Sequence, residues 1–190
     1  MKKLMTALLL AHLSVFAVPA LGAETPAPTA DYQPQGPKYP PVFFVTNVES
    51  AAFKQKLDGY GAFARLDSEA VGLPIGLRIV KGHRTKQDAT TMSSVMLSAS
   101  TLGLIPMVSS TEFKVYYDVY VQGKSIAEFE YQVDSTDVNH LWAGNTGERK
   151  TKPAEELFMD YSLSLFLNDV QKSAEVQAAF AEYWQYFPQQ

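Results

Sequence analysis

The sequence predicts an α+β fold, a two-layer sandwich in which a mainly antiparallel sheet carries helices on one face. Over residues 112–121 and 125–133, apolar and polar residues alternate with a period of two, which is typical of strands buried on one face only. Two later segments, after Pro153 and Ser173, place apolar residues at helical spacing. A sheet with one apolar face needs a cover, and we expect these helices to supply it.

The first 23 residues have the layout of a secretory signal peptide. Lys2 and Lys3 precede an apolar stretch over residues 4–18, Pro19 follows, and small residues lead to Ala23. The apolar stretch is too short to span a bilayer. We therefore expect cleavage near Ala23 and a periplasmic or secreted protein of the bacterial cell envelope, without an integral membrane span.

Composition narrows the classes of function. Cleavage would remove two of the 16 basic residues and leave 14 against 20 acidic ones, a net charge of −6. This charge disfavours nucleic acid as a partner. The chain has no cysteine, so disulfides, thiolate metal sites, cysteine nucleophiles and a lipid anchor on cysteine are excluded. We expect no cofactor and no metal.

The rest of the chain divides into a tether and one domain. Residues 24–41 contain six prolines and are predicted to form an extended tether, and residues 42–187 are predicted to form a single domain. Within the domain, residues 42–48 form an apolar strand, Ser50 caps a helix that closes near residues 61–63, and residues 74–80 form a second strand.

Residues 90–111 contain no charged side chain, and 10 of these 22 residues are Ser or Thr. The first half, with Met92, Val95 and Met96 at helical spacing, is predicted to form a short helix. The second half is densely apolar but contains Gly103 and Pro106, which interrupt regular structure. Some of its side chains could therefore stay exposed as a contact patch, or the segment could pack beneath the sheet. The predicted patch residues are Leu102, Leu104, Ile105 and Met107.

A hairpin and two helices complete the predicted order. The strands over 112–121 and 125–133 are joined by a tight turn at Gly123. Residues 134–152 contain two glycines and several polar residues, and are predicted to form a loop. Pro153 suits the first turn of the next helix, and Ser173 suits the cap of the last one.

Candidates for catalysis are few. Outside the signal, the only histidines are His83 and His140, and neither belongs to a metal-binding motif. No Gly-x-Ser-x-Gly elbow is present. Asp134, Asp137 and His140 in the predicted loop are the best acid–base candidates. They define the alternative function, a periplasmic hydrolase.

Two stretches carry a resemblance to known proteins. Residues 53–80 read FKQKLDGYGAFARLDSEAVGLPIGLRIV, and TLGLIP at 101–106 precedes a hairpin with Gly123 and Lys124 in its turn and Tyr131 near its end. This order resembles uncharacterised bacterial envelope lipoproteins with a TLGxIP segment. In general shape it is similar to the lipopolysaccharide-assembly lipoprotein and to the amino-terminal domain of the Tol-system propeller protein. The chain departs from the lipoproteins because it lacks the anchoring cysteine.

The resemblance covers roughly residues 42–170 and carries no catalytic residue over. It implies a two-layer α/β fold and a role in binding or assembly. We therefore expect a noncatalytic envelope module that binds another envelope protein or a lipid-like ligand through residues 102–108.

Overall fold

The computed structural model describes residues 31–139 and 150–188. Its elements, in chain order, are β1 (Val42–Thr46), α1 (Ala51–Gly59), β2 (Leu66–Asp67), β3 (Ile75–Thr85), α2 (Ala89–Ser100), β4 (Met107–Val121), β5 (Lys124–Asn139), α3 (Pro153–Lys172) and α4 (Ala174–Tyr186). The predicted α+β class is confirmed. No helix of the described residues combines the length and apolarity that crossing a bilayer requires.

The five strands form one sheet in the order β2-β1-β3-β4-β5. β1 is parallel to both β2 and β3, and the chain crosses over through α1 as parallel pairing requires. The long strands β3, β4 and β5 pair antiparallel. Most of the pairing is therefore antiparallel, although one side of the sheet is parallel.

The core lies between the sheet and helices α1, α3 and α4. Tyr117 on β4 is fully buried, stacks on Phe166 of α3 at 4.4 Å, and shares a 2.6 Å hydrogen bond with the Ser162 hydroxyl. The opposite face of β4 is polar, and Lys114 and Asp118 there bind charged neighbours. The one-sided alternation of the sequence therefore matches a sheet covered on one face.

The chain before β1 takes part in this core. Tyr32 and Tyr39 are buried, and Tyr39 pairs with the segment before β2 by donating to the Ala62 carbonyl at 2.7 Å and accepting from the Ala64 amide at 2.8 Å. Residues 32–41 of the predicted tether thus belong to the folded unit, which begins before residue 42. The burial of Tyr32 and Tyr39 was not predicted, because the prolines between and around them indicated an extended tether.

The strands run further than their sequence patterns. β3 continues over residues 81–85, β4 begins at Met107 instead of residue 112, and β5 continues to Asn139. The predicted loop over 134–152 is therefore wrong for residues 134–139. Their polar side chains gave no strand signal, yet Met107–Thr111 provides them with a partner strand. The short β2 was not predicted either.

Candidate functional site

Helix α2 begins and ends with well-formed caps. The Asp88 carboxylate accepts a hydrogen bond from the Thr91 amide at 2.8 Å. At the other end, Leu102 and Gly103 adopt positive φ angles of 54° and 80°, and the Gly103 amide donates to the Ser98 carbonyl at 2.7 Å. This turn ends the helix and directs residues 102–106 away from it.

The hydroxyl side chains of α2 take the place of a neighbouring strand. β3 ends at Thr85, opposite Thr111, so the first residues of β4 extend beyond it. There the Ser94 hydroxyl accepts from the Val108 amide, and the Thr91 hydroxyl accepts from the Ser110 amide at 3.2 Å. Without α2, these amides would lie on an open strand edge.

The outer face of α2 is apolar and exposed. Met92, Val95, Met96 and Leu97 all present more than two fifths of their side-chain surface, while Ser98 beneath them is fully buried. A surface helix of a globular protein normally buries its apolar stripe and exposes its polar one. In α2 the face that packs on the protein is instead the hydroxyl face of Thr91, Ser94 and Ser98, because the first two of these side chains bind amides at the strand edge.

The predicted contact patch continues this exposed face. Leu102 and Leu104 are 76% and 84% exposed, and Ile105 is 38% exposed. Met107 is only half-buried and is the first residue of β4, paired with Asn139. We call the combined set the α2 surface; its residues are Met92, Val95, Met96, Leu97, Leu102, Leu104 and Ile105.

The helical half of the α2 surface was missed by the sequence reasoning, which predicted the helix but not which side faces outward. The sequence did contain a pattern that could have indicated the orientation of α2. Thr91, Ser94 and Ser98 recur at i, i+3 and i+7, which places three hydroxyls on one helical face. Sequence rules assign such a face to solvent, and the tertiary structure assigns it to the sheet.

Leu102 is held in an unfavourable backbone conformation. A φ of 54° is the left-handed region, which costs an L-residue with a Cβ atom about 1–2 kcal/mol and favours glycine at this position of a helix end. The side chain is mostly exposed, so little burial offsets this cost. Strain of this kind concentrates at functional sites.

The acid–base candidates do not come together. Asp134 and Asp137 lie on β5 rather than in a loop, and their odd spacing directs them to opposite faces of the sheet. Each carboxylate is bound by a lysine at 2.6 Å, Asp134 by Lys86 and Asp137 by Lys152. His140 lies outside the described residues. The two aspartates therefore form salt bridges on separate faces, not a catalytic pair.

The other predicted histidine joins two elements. His83 on β3 lies 3.3 Å from the buried carboxylate of Glu155, which also accepts from the Lys152 amide at 2.9 Å. This contact attaches the first turn of α3 to the sheet. Among residues 31–139 and 150–188, no three His, Cys, Asp or Glu side chains are grouped as a metal would require.

A second concave surface lies between α4 and the β4–β5 turn. It is an open groove of about 1010 Å³ with a mainly aliphatic and aromatic lining, which includes Leu73, Pro74, Val121, Ile126, Ala179 and Tyr183. Lys124 and Glu182 add charge at its border. This volume is at the upper end of the range for small-molecule sites, so the groove is large enough for an apolar chain.

No protein-family model and no curated protein matches the chain. Several solved structures are similar to it, among them the following three. Rare lipoprotein B from Shewanella oneidensis is 10% identical, with 78% of this chain and 99% of that chain covered and a TM-score of 0.29. A putative neuraminyllactose-binding hemagglutinin homolog from Helicobacter pylori is 10% identical, with 83% and 97% covered and a TM-score of 0.34.

The third structure, a minor lipoprotein from Acinetobacter baumannii, is 8% identical, with 75% of this chain and 96% of that chain covered and a TM-score of 0.30. Two of these three structures are bacterial lipoproteins.

Proposed function

We propose that this chain is a noncatalytic protein of the bacterial cell envelope that binds another envelope protein through the α2 surface. The observation that carries the proposal is the orientation of α2. Its Thr91, Ser94 and Ser98 hydroxyls face the sheet, and its methionine, valine and leucine side chains face outward. A large, contiguous exposed apolar surface on a protein is typical of a site that contacts another molecule.

Two features of the α2 surface suit a protein partner. Met92 and Met96 are unbranched and flexible, so they adapt to the shape of a facing surface. Leu102 and Leu104 project from a turn with a strained residue, which keeps them outward at a cost in stability. Residues 90–111 carry no charged side chain, so burial of apolar surface would stabilise the contact.

The test is a site-specific photo-crosslink in living cells. A photoreactive residue at Met96 should capture one partner, and the variant Leu104→Glu with Ile105→Lys should abolish that capture. Because both side chains are exposed, the variant should keep the melting temperature of the parent protein. A strongly lowered melting temperature would mean that the segment belongs to the core, since burying unpaired charge is severely destabilising, and would end the proposal.

The chain offers a matched control for the charged variant. Val71 and Leu157 are as exposed as the tested residues but lie outside the α2 surface. The control variant Val71→Lys with Leu157→Glu introduces the same two charges, and the crosslink at Met96 should survive it. If both variants lost the crosslink, the loss would result from introducing charged side chains anywhere on the surface and not from changing the α2 surface.

The groove beside α4 supports a second candidate, binding of a lipid-like ligand. Its volume and apolar lining are the supporting observations. A fluorescent polyene fatty acid should bind the purified protein, and Ala179→Trp should weaken this binding by obstructing part of the groove. The α2 variant should leave it unchanged. Failure of the fatty acid to bind would exclude lipid binding in the groove and would leave the proposed protein contact at the α2 surface unaffected.

The competing hydrolase hypothesis has its own test. His140→Ala should leave the cellular phenotype unchanged if the chain only binds. A complete loss of function at a normal protein level would favour an enzyme instead.

A further inference from the structure

Within residues 31–139 and 150–188, the sheet ends in a long strand whose outer edge pairs with no other strand. β5 has 16 residues, whereas β2 at the opposite edge has only two. Consecutive residues of an antiparallel strand direct their backbone groups to alternate sides. The bond from the Gln122 amide to the Pro74 carbonyl shows that even-numbered residues of β4 face β3, so the odd-numbered ones face β5.

The same alternation sets the outer edge of β5. Odd-numbered residues of β5 are in register with odd-numbered residues of β4, as Phe129 is with Tyr117. The even-numbered residues 128–134 therefore direct their N–H and C=O groups away from the sheet. The Thr136 carbonyl on this edge accepts from the Lys152 ammonium, which confirms the direction. On this outer side, opposite β4, no strand of the described residues pairs with positions 128–134.

The side chains along this edge also alternate. Glu128, Glu130, Gln132 and Asp134 are exposed on the polar face. The intervening side chains on the helix-covered face, Phe129, Tyr131 and Val133, are half-buried. A strand added here would place every second side chain beside carboxylates and the others beside apolar groups.

The charge on the polar face favours cations. Lys114 binds Glu130 at 2.5 Å and Lys86 binds Asp134 at 2.6 Å, but Glu128 has no cation within salt-bridge distance among the described residues. Glu128 is in register with Asp118, whose Oδ1 atom is buried and has no hydrogen-bond partner in the described part of the chain. Like charges directly opposite are destabilising, so a cation near Glu128 would be stabilising.

The same carboxylates disfavour a second copy of this chain. Antiparallel self-pairing about residue 131 would set Glu128 against Asp134, and two acidic edges would repel each other. A basic segment has the opposite sign and gains from both the carboxylates and the backbone groups.

We propose that residues 128–134 of β5 bind an extended segment of another protein by strand addition, with lysine or arginine alternating with aliphatic residues. This interface is separate from the α2 surface. It therefore does not depend on the function proposed above.

The probe is a fluorescein-labelled synthetic peptide of alternating lysine and valine, titrated with the purified protein and followed by fluorescence anisotropy. The matched control is the glutamate–valine peptide. We expect the basic peptide to bind at least about tenfold more tightly, because the two peptides share the same alternating pattern and carry opposite charge. Equal affinity, or no binding of the basic peptide, overturns the proposal.

Two variants test the binding mode. Gln132→Pro removes an outward N–H without breaking the pairing with β4, and should weaken the peptide about tenfold, whereas Gln132→Ala should have little effect. Glu128→Lys with Gln132→Lys keeps the backbone groups and reverses the charge of the edge, so it should abolish binding of the basic peptide. This second variant tests the proposal even if the proline variant does not fold. Unchanged affinity in the lysine variant contradicts the proposal. Sedimentation showing a dimer that Gln132→Pro dissociates would identify a second copy as the occupant and also overturn it.

Discussion

Replacing Leu102 by glycine is expected to relieve backbone strain at the end of α2. At φ 54° a residue with a Cβ atom costs about 1–2 kcal/mol relative to glycine. Against this gain, glycine makes the unfolded chain more flexible, which costs about 0.4–1 kcal/mol. The net effect of Leu102→Gly is therefore a slight stabilisation, because the side chain is 76% exposed and contributes little burial.

Leu104→Gly is the matched control. Leu104 is 84% exposed, and among the described residues only Leu102 and Gln122 combine a positive φ with a side chain. Both variants increase the freedom of the unfolded chain equally, so the difference between them isolates the backbone strain. We expect Leu102→Gly to be about 1–2 kcal/mol more stable than Leu104→Gly.

The assay is hydrogen exchange over residues 97–106, supported by urea denaturation. Exchange reports on α2 even if this segment opens without global unfolding. Slower exchange in Leu102→Gly than in Leu104→Gly, by about fivefold to thirtyfold, is the expected result. Equal destabilisation by both substitutions would refute the reasoning, since it would show that the Leu102 side chain stabilises the native state as much as its backbone strains it.

Three further outcomes are expected. Ser94→Ala removes the acceptor of the Val108 amide and should raise the exchange rate of that amide about fivefold, measured by hydrogen exchange; an unchanged rate contradicts the hydroxyl's role at the strand edge. Tyr117→Phe removes the buried hydrogen bond to Ser162 and should lower the free energy of unfolding by about 1 kcal/mol in urea denaturation, while the stacked ring is kept. Burial, followed by the hydrogen bond to the Asp169 carboxylate, raises the pKa of Tyr131. The neutral phenol therefore stabilises the fold fully below about pH 10, and this contribution is lost as the pH rises further. Urea midpoints measured above pH 10 should fall more steeply for the parent protein than for Tyr131→Phe.

The polar ends of the long strands show where sequence patterns stop being informative. Residues 113–121 alternate cleanly because one face of this part of β4 is buried under α3. Residues 134–139 alternate in burial too, but their polar side chains do not record it. They form a strand because Met107–Thr111 is available as a partner, and that partner is more than twenty residues away in the chain.

The predicted contact patch shows the same difference between what neighbouring residues indicate and what distant pairing decides. Gly103 and Pro106 indicated correctly that residues 102–105 would leave regular structure, because glycine permits a positive φ and proline fixes φ and lacks an N–H donor. The outward direction of Met92 and Met96 was not predictable. It depends on β4 running past the end of β3, which leaves amides that the hydroxyls of α2 satisfy.

The sequence by itself determined the class of fold, the caps at Ser50 and Ser173, the helix start at Pro153 and the positive-φ turn at Gly123. These features depend on a few neighbouring residues, whose hydrogen bonds and backbone preferences act locally. Only the tertiary structure decided how far the strands extend, which face of α2 is exposed and which edge of the sheet is open. Those properties depend on pairing between distant segments, and no local preference specifies a distant partner.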